Sequence, residues 1–466
     1  MKTKVNSVTL IKVPSSQFFR VDFDVLNISN LLTSKGVKVD LMDLNLIFQK
    51  KLYSKNGFDE ILQNKNLTEQ EFLNFKARVN FSNHAHMKRF PETKISLGSL
   101  EQSNKYISKY QNSIFYDVFK DFIIPNNDLI IFLATTPNEI NNAIIIKNIL
   151  KQRNIIEKTM LIISFTGDVN CFTNTINHFD YVLNKFYENT IFEKIDFIKN
   201  DECKNLINFD NYLLRSKVMP LRLSNSCYYG KCNFCDKPSI KEKIVIKDVD
   251  NVVSQMNNYH EQFNTKIFKF QDDALPPSAI FDLSSKIINK SHKWFGNIRF
   301  EKVYSNKQNI RLLKKAGCIR LFAGLETASE ELLKKMNKNI DLEIVEKIIK
   351  NCHEEGIKVS LSVLFDFPTE SLCDIKKTIK FIEKNIFFID TVEVNYFVLT
   401  KNSYVYKNKE EFNINILDES DYFIKFEEND PSRLEKQTLI QDFLLFLKNK
   451  NKIKSEWHYN YELFND

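Results

Sequence analysis

VMPLRLSNSCYYGKCNFC, residues 218–235, decides the reading of this chain: a β-rich run ends in a loop that carries three cysteines, Cys227, Cys232 and Cys235. Strand candidates then recur at KIFKFQ (266–271), NIRFEKV (297–303), IRLFA (319–323), KVSLSVLF (358–365) and TVEVNYFVL (391–399). Helical patterns separate them. Val249, Val252, Val253 and Met256 share one face, as do Ile344, Ile348 and Cys352, while Gly317 and Gly356 sit where helices must stop. Strands alternating with helices predict a parallel sheet, and six of them make a partial barrel, fewer than the eight that close a TIM barrel. Chemistry in such folds gathers at the carboxyl ends of strands, which is where the cysteine loop stands.

The spacing C-x4-C-x2-C puts three soft thiolates on one loop, a set that suits an iron–sulfur cluster with one iron left open. A structural zinc site wants a fourth Cys or His. The nearest in sequence, Cys203 and His260, stand in no second CxxC or HxxxH arrangement. Cys318, Cys352 and Cys373 lie on strand or helix patterns and read as core thiols, and His84 and His86 as surface histidines.

With Phe234 just before its last cysteine, the triplet resembles the cluster loop of radical S-adenosylmethionine (radical SAM) enzymes. The resemblance continues downstream. Phe270-Gln271-Asp272-Asp273 is similar to the acidic end of the family's second strand, Arg299 to the arginine of its third, and Gly324-Leu325-Glu326 to the G-x-E after its fourth. Phe365-Asp366-Phe367-Pro368-Thr369-Glu370 is similar to the G-F-P-G-E turn after its fifth. Two departures stand out: the first cysteine spacer has one residue more than the usual C-x3-C-x2-C, and Asp366 and Thr369 replace glycines.

The resemblance implies a [4Fe–4S] cluster on Cys227, Cys232 and Cys235, with the open iron chelating the amine and carboxylate of S-adenosylmethionine (SAM) and an electron cleaving the sulfonium bond to a 5′-deoxyadenosyl radical. It assigns Phe234, Asp272, Arg299 and Glu326 to the SAM site. Arg299 offers a fork for the carboxylate, and Glu326 an acceptor for amine or ribose hydroxyls. The plain structural readings are an ion pair for Arg299, a helix-start carboxylate for Glu326 and helix-capping acids for Asp272 and Asp273. A reducing partner such as a flavodoxin or ferredoxin is implied as well.

Upstream, VNSVTLIKV (5–13) reads as a strand, and Val21, Val25, Ile28 and Leu32 as one helical face closed by Gly36. VKVDLMD (37–43) alternates as a strand, and a polar, helix-leaning insertion follows over about 45–125. The period resumes at LIIFL (129–133), a helix start at Thr136, Pro137 and Glu139, MLIIS (160–164) and YVL (181–183). This is an α/β, doubly wound, Rossmann-like pattern. The expected domains are therefore 1–205, a partial (β/α)6 barrel over 206–400, and a small helical extension over 401–466, with Leu439, Phe443 and Phe446 on one face.

A doubly wound domain ahead of such a barrel resembles the subclass of radical SAM enzymes with an N-terminal cobalamin (B12)-binding domain, which methylate or rearrange peptides, lipids and natural products. Bound cobalamin is left open. No D-x-H-x-x-G is present to supply a histidine to cobalt, and the nucleotide-loop positions read Ser164-Phe165-Thr166-Gly167. If cobalamin binds, Thr135, Thr136, Ser164 and Thr166 are the polar contacts at the carboxyl ends of the strands.

Composition sets the outer bounds. Of 466 residues, 43% are hydrophobic and 27% charged, the mix of a folded protein rather than a disordered or fibrous one. No apolar run approaches the roughly 20 residues of a membrane span, and the amino-terminal stretch is too short for a secretory signal, so a cytoplasmic protein is expected. The net charge of +7 comes from interspersed signs, is weak evidence for a nucleic-acid partner and is better explained by solvated faces. With only 9 glycines, many turns must use Asn. The expected activity is radical SAM modification of a peptide or small natural product, either as a cobalamin-dependent methyltransferase or, without cobalamin, by hydrogen abstraction, rearrangement or cross-linking. A non-enzymatic iron–sulfur or zinc protein that binds nucleic acid is the more distant alternative.

Overall fold

The computed structural model describes residues 3–14, 23–53, 111, 114–134, 137–155, 158–163, 179–184, 195–197, 217–235, 244–288, 290–419, 423–428 and 430–453. The chain divides into two compact units, Met1–Arg215 with Ser420–Tyr422 and Asn460–Asp466, and Ser216–Glu419 with Phe423–Tyr459.

The first unit runs β1 (Thr3–Val5), β2 (Ser7–Lys12), α1 (Phe23–Ser34), β3 (Lys38–Asp43), α2 (Leu44–Tyr53), α3 (Ile114–Phe119), β4 (Leu129–Ala134), α4 (Pro137–Gln152), β5 (Lys158–Ile163), β6 (Tyr181–Asn184) and β7 (Ile195–Phe197). Five strands pair in parallel in the order β3-β2-β4-β5-β6, the doubly wound arrangement whose switch point falls between β2 and β4. β4 is buried at every position, as a strand covered on both faces must be. Alternation sends Ile130 and Phe132 to one core and Leu129, Ile131 and Leu133 to the other, where Val25, Ile28 and Leu32 of α1 meet them. The run expected as one strand over 5–13 is two. Asn6 and Ser7 N–H groups donate to Asp128 Oδ2 (2.7 and 3.1 Å), and β1 leaves the main sheet to pair with β7. Val21, Thr135, Thr136, Ser164, Thr166, Cys171, Cys203 and both insertion histidines lie outside the described residues, as does most of the insertion.

The second unit runs β8 (Val218–Leu221), α5 (Val249–Phe263), β9 (Ile267–Phe270), α6 (Pro277–Ile287), β10 (Lys293–Ile298), α7 (Lys307–Lys315), β11 (Cys318–Glu326), α8 (Glu330–Lys335), α9 (Leu342–Glu354), β12 (Lys358–Phe365), α10 (Leu372–Asn385) and β13 (Thr391–Tyr396). All six strands pair in parallel in chain order, so the second half is the expected partial barrel. The extension adds β14 (Leu399–Thr400), α11 (Tyr404–Lys407), β15 (Asn415–Asp418), β16 (Phe423–Glu427) and α12 (Arg433–Asn449). The extension, expected to be helical, is mixed instead: its three strands form an antiparallel sheet of their own, because Ile416 and Phe426 alternate with exposed residues at strand period.

Two further expectations are corrected. The third strand of the barrel is Lys293–Ile298 and not 297–303, because Trp294 is fully buried with its indole N–H on Ala316 O (3.0 Å), which sets the register four residues earlier. Arg299 is thereby the first residue past that strand. Cys373 is exposed, because the buried stripe of α10 runs through Ile375, Thr378 and Ile382 and leaves residue 373 off it. Cys318 and Cys352 are core thiols as expected. Among the described residues no helix is long and apolar enough to cross a membrane.

Candidate functional site

Asp272 ties the cysteine loop to the neighbouring strand. Its buried carboxylate, just past β9, accepts from Leu223 N (3.0 Å), Ser224 N (2.6 Å) and Ser224 Oγ (2.7 Å) at the loop's start. Burial pushes its pKa up while these donors pull it back. Through these bonds Asp272 braces the loop.

The loop is also laced to the turn after α8. Asn233 N donates to Met336 O (2.9 Å) and Asn233 Nδ2 to Lys335 O (2.8 Å), while Asn337 Nδ2 donates to Lys231 O (2.8 Å) and Tyr229 Oη to Asn337 O (2.6 Å). Phe234 packs into the apolar cluster of Leu332, Met336, Leu364 and Phe367. With the side chain before its last cysteine anchored there, the loop has both ends fixed.

Arg299 closes this arrangement. Its Nη1 and Nη2 donate to Lys338 O (2.9 Å) and Asn339 O (3.1 Å), and Nε donates to Glu301 Oε1 (2.9 Å), which also accepts Tyr228 Oη (3.1 Å). The guanidinium lies 3.5 Å from the centre of the Tyr229 ring, in stacking range. Tyr228 and Tyr229 belong to the lengthened spacer between the first two cysteines. Burial, then the Glu301 charge, hold the Tyr228 phenol protonated far above its usual range. The extra residue of the spacer thus has a physical counterpart in two tyrosines docked on one arginine.

Beyond β11 the backbone is strained. Among the described residues nine non-glycine residues adopt positive φ, and six of them are Asn, in keeping with the scarcity of glycine. The other three are Glu326 (φ 64°), Asp366 (φ 57°) and Thr369 (φ 71°), all at the carboxyl ends of β11 and β12. Such strain clusters where function over-determines the backbone. Glu326 follows a bulge against β12, and its Oε1 stands 2.7 Å from Lys338 Nζ, both side chains nearly buried. Asp366 and Thr369 keep the left-handed backbone that glycine would give the turn. Asp366 N donates to Glu370 Oε2 (2.8 Å) inside it.

These groups converge on one thiol. Cys232 feels the charges of Lys338, Arg299, Glu326 and Cys227; burial pushes its pKa up and the two cations oppose that. Lys338 carries no motif, and sequence reasoning missed it. The available signal was a lysine between two asparagines, Asn337 and Asn339, that both take left-handed turns.

The donor set fits a multi-iron group better than a single ion. Cys227, Cys232 and Cys235 are half-buried. Three soft thiolates on one loop are a donor set that suits an iron–sulfur cluster with one iron left open.

Comparison with known proteins agrees. Residues 221–382 match the model of the radical SAM superfamily. The bacteriochlorophyllide d C-12(1)-methyltransferase of Chlorobaculum tepidum is 26% identical over 177 residues, 36% of this chain and 38% of that protein. The C-8(2)-methyltransferase of the same organism is 24% identical over 194 residues, 38% of this chain and 42% of its own length, so the chain matches less than half of either relative. Among solved structures, TsrM of Kitasatospora setae, a radical SAM methyltransferase with cobalamin and a [4Fe–4S] cluster bound, superposes with a TM-score of 0.63 at 12% identity, covering 99% of this chain and 98% of that one. The cobalamin-dependent radical SAM enzyme OxsB with aqua-cobalamin bound gives 0.58 at 14% identity, covering 99% and 70%. Residues 221–382 thus match a radical SAM domain, and the fold of the chain is like that of TsrM and OxsB.

Proposed function

We propose that this radical SAM enzyme is a methyltransferase acting on a peptide or small natural product, with a [4Fe–4S] cluster on Cys227, Cys232 and Cys235, SAM beside Glu326 and Phe234, and cobalamin in the N-terminal unit. The observation that carries the reading is the convergence of Glu326, Lys338 and Arg299 on Cys232 at the carboxyl ends of the barrel strands. When bound, the cluster would supply one electron to SAM, delivered by a reducing partner such as a flavodoxin or ferredoxin. The chain's own residues do the rest. Asp272 and Arg299 hold the loop that carries the thiolates, Phe234 anchors the loop's end, and Glu326 presents a buried carboxylate to an ammonium.

Two measurements test it. Anaerobically reconstituted protein should carry about four irons per chain, and replacing Cys227, Cys232 and Cys235 together with Ala should remove them. Iron retained in that triple variant overturns the ligand set. Cobalamin rests on the cofactors bound in TsrM and OxsB and on the order of the first sheet, whose switch point lies at the ends of β2 and β4. There a buried ion pair, Lys12 Nζ to Glu139 Oε2 (2.9 Å), links the end of β2 to the first turn of α4. Protein incubated with hydroxocobalamin and desalted should keep a stoichiometric corrinoid spectrum. A protein that retains its iron but no corrinoid would instead be a cobalamin-free radical SAM enzyme.

A further inference from the structure

We propose that Lys338 sets the reduction potential of the cluster held by Cys227, Cys232 and Cys235, in opposition to Glu326; the inference rests on the cluster assignment above. Its ammonium is buried, 2.7 Å from Glu326 Oε1 and 5.7 Å from the centre of the Phe234 ring, and its charge reaches the Cys232 thiol. Nothing about this placement is loose. The residue's N–H donates to Leu333 O (3.0 Å) and its carbonyl accepts Arg299 Nη1, while Asn337 and Asn339, each at φ 49°, shape the turn around it.

Burying an ammonium is unfavourable unless it is paired, and one carboxylate satisfies Lys338 in that respect. A purely structural pair would do as well anywhere in the barrel. This one lies against the cysteine loop, where low dielectric makes a fixed charge act strongly on whatever the thiolates hold. A cation there favours the form of the cluster that has gained an electron, and a carboxylate favours the form that has not. Lys338 and Glu326 must therefore shift the potential in opposite directions, a signature that packing alone does not produce.

The test is a potentiometric titration of the reconstituted protein without SAM, followed by electron paramagnetic resonance, with iron content measured alongside. Lys338→Met keeps the length of the stem and removes the charge. It should lower the reduced-to-oxidised ratio at a fixed potential by about tenfold, which is 59 mV for a one-electron couple. Glu326→Gln should move the midpoint the other way, the double variant should return near the parent, and Lys338→Arg should stay near it. Single variants that hold parental iron with unmoved midpoints, or with shifts of the same sign, overturn the proposal. Iron lost from Lys338→Met alone, with Glu326→Gln unmoved, overturns it in favour of a structural role. Iron absent from the parent protein would overturn the cluster assignment, and this inference with it.

Discussion

A Cβ on residue 324 would run into the Glu326 carboxylate and lie 2.8 Å from Lys338 Nζ. The close approach of that ion pair to the backbone of β11 is thus available only to glycine. Gly324→Ala should push the carboxylate out of place and weaken SAM binding by about 1–3 kcal/mol, the range for losing a charged hydrogen-bond partner. Calorimetric titration of SAM into cluster-loaded protein reads this, and iron content should be unchanged, because none of the loop's anchors passes through residue 324. Unaltered affinity would mean that Glu326 does not touch SAM. The same scale explains why the arginine was easier to find than the lysine. Arg299 follows a strand in a position with family precedent, whereas Lys338 acquires its role from a turn whose shape only the folded chain reveals.

At the scale of the element, the turn after β12 carries two left-handed residues without glycine's freedom. Thr369 is the costlier, since a β-branched side chain at φ 71° crowds its own backbone. Among the described residues its hydroxyl accepts from an exposed Lys335 ammonium (3.1 Å), a weak compensation. Thr369→Gly should therefore raise unfolding free energy by about 1 kcal/mol, net of glycine's larger entropy in the unfolded chain. Urea unfolding checks it, and a loss of stability would mean that the threonine side chain holds the turn. Elements with a clean period were legible beforehand: β12 occupies the expected 358–365, and α5 buries Val249, Val252 and Met256 as its stripe requires. β10 was misplaced because NIRFEKV alternates as well as KWFGNI does, and only the burial of Trp294 chooses between them. Cys373 misled because a thiol on an amphipathic helix says nothing about its angle to the buried stripe. The brace from Asp272 was out of reach of pattern reading, since it joins residues about fifty positions apart.

Across the whole molecule, three buried or half-buried groups with shifted pKa values make stability depend on pH in opposing ways. Burial, then the charges of Lys290, His260 and Lys266, push His292 down to about 4, and among the described residues neither ring nitrogen has a hydrogen-bond partner. As pH falls from about 6.5 to about 4 the unfolded chain takes up a proton that the native one refuses, so stability is lost over that window. Glu370 behaves in the opposite sense. Burial raises it to about 8, its Oε1 has no partner among the described residues, and the charges of Asp366 and Asp374 oppose its ionisation while the Asp366 N–H and Lys436 favour it. Glu428, raised to about 7 chiefly by burial, follows it. Between the ordinary carboxyl value of 4.5 and these raised values the native state keeps protons that the unfolded chain has released, so stability falls as pH rises. A fully buried group contributes at most about 1.4 kcal/mol per pH unit inside its window, and the half-exposed Glu428 less because solvent screens it. Above pH 6.5 His292 no longer contributes and the two acids act unopposed, so the steepest decline is expected between pH 6.5 and 7. Glu428 then drops out, and Glu370 alone carries the slope towards pH 8. Urea unfolding followed by tryptophan fluorescence at pH 5, 6.5, 7 and 8 tests the shape. Glu370→Gln should flatten the decline from 6.5 to 8, and His292→Phe the loss below 6.5. A Glu370→Gln slope equal to the parent's would show that this carboxyl is already ionised in the native protein.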